Sequence, residues 1–419
     1  MIGTNGKRAA RIAAALIASI FAAVTLMSLP ACFGKPETPS APSGTEEAVL
    51  LFSPSPEPTA EPTAEPTPAP TEEPEESRKI REALSRMTLE EKVGQLMLFG
   101  FSGVEAPAGS SAEFFRRYPI GNVIMLASNI DKTGDGGFTS AARMTAYFEE
   151  NLPCAVPRLF AADVEGGSVV RFDWPSRIPS AAKLGKKAPD EVRELFRGIG
   201  EKLRSCGINL DLAPVADIAE EPAKSVMGSR IVSSDLDTVI TICGAVIDGL
   251  HEGGCLSCAK HFPGHGSADA DSHSGTPAVY RSRGELMEYD AAAFAGAIEA
   301  GADCVMTAHV LYPALDGENI ATLSPDIITG LLREELGFDG VVISDDMLMQ
   351  GLSISCRPAE AAVRFILAGG DMLLCGADAE TQESIFCSVL EAVQDGRITE
   401  ERLDESVSRI LRLKLNIGL

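Results

Sequence analysis

From Arg78 onward, short apolar runs alternate with amphipathic stretches of helical spacing. An opening helix is expected over Arg78–Gln95, and the apolar runs then fall at Leu96–Phe101, Asn122–Leu126, Leu159–Asp163 and Asn209–Val215. They continue at Leu256–His261, Cys304–His309, Gly340–Asp345 and Asp371–Cys375. Most are continuous rather than alternating, which is the pattern of parallel strands covered on both faces. Helical patterns fill many of the gaps: Asp190–Cys206, Ser234–Glu252, Gly284–Ala300, Pro325–Leu336, Pro358–Ala368 and Glu380–Asp395, with a last helix over Thr399–Leu415.

Eight strand–helix units over this length fit an α/β fold of the (β/α)8 TIM-barrel type, a single catalytic domain over residues 78–419. A doubly wound sheet is the alternative, but it normally shows a Gly-rich phosphate turn after its first strand. Here Phe99-Gly100-Phe101-Ser102-Gly103 is followed by no suitable helix start. In a barrel, chemistry gathers at the carboxyl ends of the strands. Polar residues concentrate there: Asp163 to Gly167 after the third run, Asp217 near the fourth, Lys260-His261, His309 and Asp345-Asp346. Five strand ends carrying ionisable groups argue for function.

The first 77 residues read differently. Lys7, Arg8 and Arg11 precede an apolar run from Ile12 to Leu29, as in a bacterial export signal. A permanent membrane span is the alternative, but the run ends at Leu29-Pro30-Ala31-Cys32, similar to a lipoprotein cleavage box. Residues 1–32 are therefore expected to be a signal peptide with Cys32 as the lipidation site, anchoring the protein outside the cell at a membrane. Residues 33–77 hold eleven of the 26 prolines and ten acidic residues but one Lys, so they cannot build a core and are expected to be an extended spacer. At about 3.1 Å per residue this spacer reaches on the order of 140 Å at most.

Net charge is −24, from 36 basic and 60 acidic side chains. That balance excludes a general nucleic-acid binder, which needs clustered Lys and Arg. Without Cys32, nine of the ten cysteines remain, an odd number set mostly in apolar segments, so mainly buried thiols are expected rather than a disulfide scaffold.

Lys260-His261-Phe262-Pro263-Gly264-His265-Gly266, followed by Asp271-Ser272-His273, places three of the five histidines within thirteen residues. Cys255, Cys258, His261 and His265 have spacings that a zinc ion can use. However, residues three apart on a strand face opposite ways, so convergence on one ion would need a bulge. His265, between two glycines, also reads as a satisfied structural histidine. His273 reads as functional: Asp271, two residues before it, can bond one ring nitrogen and raise the basicity of the other, suiting the ring to donate and recover a proton. Asp345 heads the nucleophile candidates, because a carboxylate can attack an anomeric carbon of oxocarbenium character. Asp346 is adjacent, its side chain expected to point away from that of Asp345.

These segments resemble the β-N-acetylglucosaminidases of glycoside hydrolase family 3, the type that trims N-acetylglucosamine from peptidoglycan fragments, over about Thr88–Leu419. The resemblance implies that Asp345 is the nucleophile of a retaining exo-β-N-acetylhexosaminidase and that His273, oriented by Asp271, is the acid/base on a loop after the fifth strand. It implies that Asp163, Arg171, Arg230, Lys260 and His261 hold the sugar hydroxyls, and that a carbohydrate is the partner, with no metal or organic cofactor. Glu165 is assigned a structural or loop-shaping role. There are departures. Met227-Gly228-Ser229-Arg230-Ile231-Val232 replaces a Gly-Asp-Arg-Ser-Phe-like sequence, and Ser267-Ala268 replaces a common Asp-Thr, with Asp269 close by. Some relatives carry a further α/β domain after the barrel. Here the pattern closes on its last helix, so one catalytic domain is expected to contain the site. Two other readings stay open: a phosphorylase, since a histidine acid/base does not repel incoming phosphate, and a glycan-binding lipoprotein on an inactive barrel.

Overall fold

A computed structural model describes residues 74–271 and 276–418. The export segment, Cys32, most of the spacer and His273 lie outside the described residues. The eight expected strands are all present, seven of them shorter than their apolar runs and β5 one residue longer: β1 Met97–Phe99, β2 Asn122–Ile124, β3 Leu159–Ala162, β4 Leu210–Asp211, β5 Leu256–Phe262, β6 Cys304–Thr307, β7 Val341–Ser344 and β8 Leu373–Cys375. They pair in parallel from β7 through β6, β5, β4, β3, β2 and β1 to β8. A parallel bridge between Ile343 and Met372 joins β7 to β8 and closes the barrel. Asp371 secures that seam. Its carboxylate accepts from Val342 N–H (2.9 Å) and Ser406 Oγ (2.7 Å) and pairs with Arg333 and Arg409 from the outer helices.

A helix follows every strand. Pro189–Ser205 shows why: Pro189, Asp190 and Glu191 open it with a fixed φ and charges that suit the helix dipole. Val192, Phe196, Ile199 and Leu203 recur at three- and four-residue intervals and face the core. Each such side chain fully buried stabilises the fold by about 1.5–3 kcal/mol. Against this helix lies Leu236–Glu252, close enough that a Cβ on Gly249 would sit 2.3 Å from the Arg193 carbonyl.

Three features differ from the expected pattern. The opening helix begins at Glu75, three residues into the expected spacer, where Glu75 and Glu76 suit a helix N-terminus, and it is two helices, Glu75–Arg86 and Leu89–Gln95. Thr88 interrupts it by accepting from Glu91 N–H (3.2 Å) while the Glu91 carboxylate takes the Thr88 N–H (2.8 Å), a capping box that starts a new helix. Helices Gly109–Arg117 and Phe138–Asn151 fill the first two crossovers, where no helix had been assigned. The helices after β5 and β6 contain wide π-type turns, at Leu286–Asp290 and Asp326–Glu335. Of the nine cysteines in the described residues, six are buried, three half-buried and none paired.

Candidate active site

At the carboxyl ends of the strands opens a cavity of about 580 Å³. Asp163, Arg171, Arg230, Lys260, His261 and Asp345, drawn from four parts of the chain, all line it. Local sequence explains each placement. Asp163 is the first residue past β3, and the chain then doubles back through the hairpin Val164–Gly166 / Val169–Val170. Gly166 and Gly167 make that turn at φ 97° and 64°, a region costly for other residues. A Cβ at Gly166 would in addition lie 2.2 Å from the Pro179 carbonyl. The turn brings Arg171 back onto Asp163, and Arg171 Nη2 donates to its Oδ2 at 2.5 Å.

Lys260 and His261 are consecutive, yet both line the cavity. The β5–β6 register shifts between Lys260 and Phe262, so His261 is the extra residue of a bulge that turns both side chains toward one space. Lys260 Nζ lies 2.8 Å from Asp163 Oδ1 and 2.7 Å from Glu165 Oε1, with all three side chains buried. Arg230 grips Glu165 through two parallel hydrogen bonds of 2.8 and 2.7 Å. The departure in sequence around Arg230 therefore leaves its guanidinium in the cavity, seated on a short turn, Gly228–Arg230, above a small apolar cluster of Val215, Ala219, Met227 and Ile231. Glu165 is the common partner of Lys260 and Arg230.

The protonation states follow from these contacts. Burial alone would push the Asp163 and Glu165 carboxyls up, but the adjoining Lys260, Arg171 and Arg230 cations outweigh it and hold both below their ordinary values. Lys260 is correspondingly held charged: burial pulls it down, and Asp163 and Glu165 more than reverse that.

Asp217 is a further member that the sequence marked only as a strand end. Its Oδ2 lies 2.8 Å from His261 Nδ1, and its Oδ1 accepts from the backbone N–H of His261 (3.2 Å) and His265 (2.7 Å). The carboxylate thus accepts from Nδ1–H, and His261 Nε2 faces Arg230 Nη2 at 3.3 Å. His265 is buried, held at its backbone by Asp217, and its ring stays below the ordinary histidine value chiefly through burial, as a structural histidine would.

Asp345 and Asp346 both line the cavity, and Asp345 Oδ1 accepts the Asp346 N–H at 2.8 Å. Regular pairing stops at Ser344, so strand alternation no longer governs them. Asp346 accepts the N–H groups of Leu348 and Gly376, each at 3.0 Å. His309 Nε2 donates to the Asp346 carbonyl at 3.1 Å, steadying the peptide that carries Asp345. Burial raises the Asp345 carboxyl, but the His261 and His309 rings and the Asp346 N–H outweigh it, so Asp345 sits below its ordinary value and is a carboxylate at neutral pH.

Cys255 precedes β5 at its amino end while His261 is its penultimate residue, so an extended strand separates them by roughly 20 Å. One ion cannot span that distance. Asp271 is described, whereas its expected partner His273 is among residues 272–275, outside the description. On the far side of that segment, Thr276 Oγ1 donates to the Gly351 carbonyl at 3.1 Å. Wall residues Leu348, Met349 and Gln350 were not anticipated. Their position directly after Asp345-Asp346, on a strand-to-helix loop, was the available signal.

A parallel eight-stranded barrel with ionised carboxylates and cations converging on a cavity of this size defines an enzyme site suited to a polyhydroxylated ligand. Residues 88–413 match the glycosyl hydrolase family 3 N-terminal domain. Beta-hexosaminidase A of Pseudoalteromonas piscicida is 32% identical over 332 residues, 73% of this chain and 55% of that protein. The beta-hexosaminidase of Tolumonas auensis is 38% identical over 67% of this chain and 82% of its own length. Among solved structures, a glycoside hydrolase family 3 beta-N-acetylglucosaminidase from a Paenibacillus species superposes with a TM-score of 0.74 at 35% identity, covering 79% of this chain and 63% of that one. The chain belongs to glycoside hydrolase family 3.

Beneath the cavity, Asp211 on β4 is fully buried; its Oδ1 accepts Val164 N–H at 2.9 Å, and its Oδ2 has no hydrogen-bond partner among the described residues. Burial, reinforced by the Asp163 and Glu165 charges against the pull of Val164 N–H and Lys260, pushes its carboxyl up to about 7. A carboxyl raised on folding contributes stability below its unfolded value and loses it as pH rises through the folded one, here from about 4 to beyond 7. Asp211→Asn keeps the acceptor and cannot ionise. Urea unfolding across pH 5 to 8 is expected to show the native protein losing stability relative to this variant by on the order of a few kcal/mol. Parallel curves for the two proteins would refute the assignment.

Proposed function

We propose that the protein is a retaining exo-acting β-N-acetylhexosaminidase that releases terminal β-linked N-acetylglucosamine, with peptidoglycan fragments as its natural substrates. The observation that carries this reading is the ionised Asp345 lining the same cavity as Asp163, Arg171, Arg230, Lys260 and His261. The beta-hexosaminidases to which the chain is similar support the substrate class.

In this reading the fixed charges bind the non-reducing sugar before any bond changes. Asp163 and Glu165 can accept from its hydroxyls, while Arg171, Arg230 and Lys260 donate. His273, oriented by Asp271, gives its proton to the glycosidic oxygen as the bond from that oxygen to the anomeric carbon breaks. Asp345 simultaneously bonds to the anomeric carbon from the opposite face, giving a glycosyl ester. The leaving group departs as a neutral alcohol. His273, now lacking its proton, takes one from water, whose oxygen attacks the anomeric carbon and releases Asp345 as a carboxylate. Atoms and protons balance over the two steps, and the anomeric configuration is retained.

Asp345→Ala is expected to abolish measurable turnover of aryl β-N-acetylglucosaminides. His273→Ala is expected to lose about 10²–10⁴-fold on substrates with poor leaving groups and far less on activated aryl glycosides. Equal losses on both would remove His273 from the acid/base role.

We further propose that the domain works outside the cytoplasm, held to a membrane by lipid on Cys32 and spaced from it by residues 33–74, which carry the Pro- and Glu-rich pattern. Cys32→Ser is expected to shift the protein from the membrane to the soluble fraction on cell fractionation. Retention of that variant in the membrane would contradict a lipid anchor.

A further inference from the structure

We infer that Leu348, with Met349 beside it, forms the subsite for the leaving group: an apolar platform for the sugar ring beyond the scissile bond. This inference rests on the glycosidase reading above and extends it to the other half of the substrate. The cavity is graded from end to end. At its floor Asp163, Glu165, Lys260 and His261 are deeply buried, with Lys260 at 2% exposure and His261 and Glu165 at 6% each, while Arg171, Arg230, Asp345 and Asp346 are half-buried. Leu348, lining the same cavity, is 38% exposed and is one of the few large apolar side chains left in water. An exo-acting enzyme seats the terminal sugar at the closed end, so the remainder of the substrate extends toward solvent and over Leu348.

Two further observations place the leaving group at this wall. The proton donor must reach the glycosidic oxygen, and the described flank of the segment that carries it, Thr276, bonds to the Gly351 carbonyl, three residues beyond Leu348. The wall is also held before substrate arrives. Leu348 N–H donates to Asp346 Oδ1 (3.0 Å), Met349 N–H to the Asp346 carbonyl (2.9 Å), and Met347 N–H to the Leu374 carbonyl on β8 (2.9 Å). A pyranose presents a face of C–H groups, and no Phe, Tyr or Trp is among the described residues that line the cavity. Leu348 and Met349 supply that contact without a charge, so the subsite favours neutral aglycones with an apolar face.

The test compares N,N′-diacetylchitobiose, whose leaving group is a full sugar, with 2-acetamido-2-deoxy-β-glucopyranosyl fluoride, whose leaving group is one atom. Leu348→Ala is expected to lower the disaccharide-to-fluoride ratio of kcat/KM about tenfold, the effect of uncovering much of one leucine side chain. Leu348→Met is expected to restore the ratio to within about twofold. An unchanged ratio in Leu348→Ala, whether both substrates fall together or neither falls, would overturn the inference while leaving the glycosidase reading intact. A native protein that turns over neither substrate would overturn both.

Discussion

A buried ammonium that cannot be left alone organises the mouth of this barrel. Lys260 lies within 2.8 Å of Asp163 and 2.7 Å of Glu165, away from water. Removing one partner from such a cluster leaves a desolvated charge and typically costs about 3–5 kcal/mol. The requirement ties together three separate segments: the hairpin after β3, the end of β5, and the turn after β4 that presents Arg230 to Glu165. It also fixes which groups donate and which accept. Asp163 and Glu165 are held as carboxylates and Lys260 as an ammonium, so the hydrogen-bonding character of these three groups does not change across the neutral range. Under the proposed function, a sugar hydroxyl meets oriented partners in these groups, and none of the three has to gain or lose a proton to bind it.

A second constraint sits across the cavity at the seam of the barrel. Asp345 follows β7, the strand whose junction with β8 depends on one bridge and on the Asp371 network. Asp346 joins this junction from above through Gly376 N–H, and His309 holds its carbonyl from β6. The Asp345 carboxylate is thus carried by a short peptide tied to the loops that follow both neighbouring strands. Closure of the sheet through Ile343, Met372 and Asp371 and placement of Asp345 through Asp346, Gly376 and His309 meet at one corner of the barrel.

The fold was legible because buried parallel strands and their covering helices leave continuous apolar runs and three- to four-residue periodicity, and all eight strands followed from these. What escaped detection depended on contacts a linear pattern does not carry. The break in the first helix is set by Thr88 and Glu91 competing for backbone partners. The shared orientation of Lys260 and His261 comes from a bulge, which overrides the alternation that a regular strand imposes. Of the site residues, those within strand-end motifs were recognised. Asp217 and Leu348 gained their places only through the packing of loops, Asp217 by binding two backbone N–H groups and the His261 ring, and Leu348 by its tether to Asp346.

The central claim is that the carboxylate at the tip of β7 forms a covalent bond to the sugar. Peptide mapping by mass spectrometry after trapping with a 5-fluoro-N-acetylglucosaminyl fluoride tests it most directly. The account predicts one glycosyl adduct per chain, on Asp345. An adduct on Asp346, or a protein that turns the reagent over while no enzyme-bound sugar accumulates under rapid quench, would contradict it.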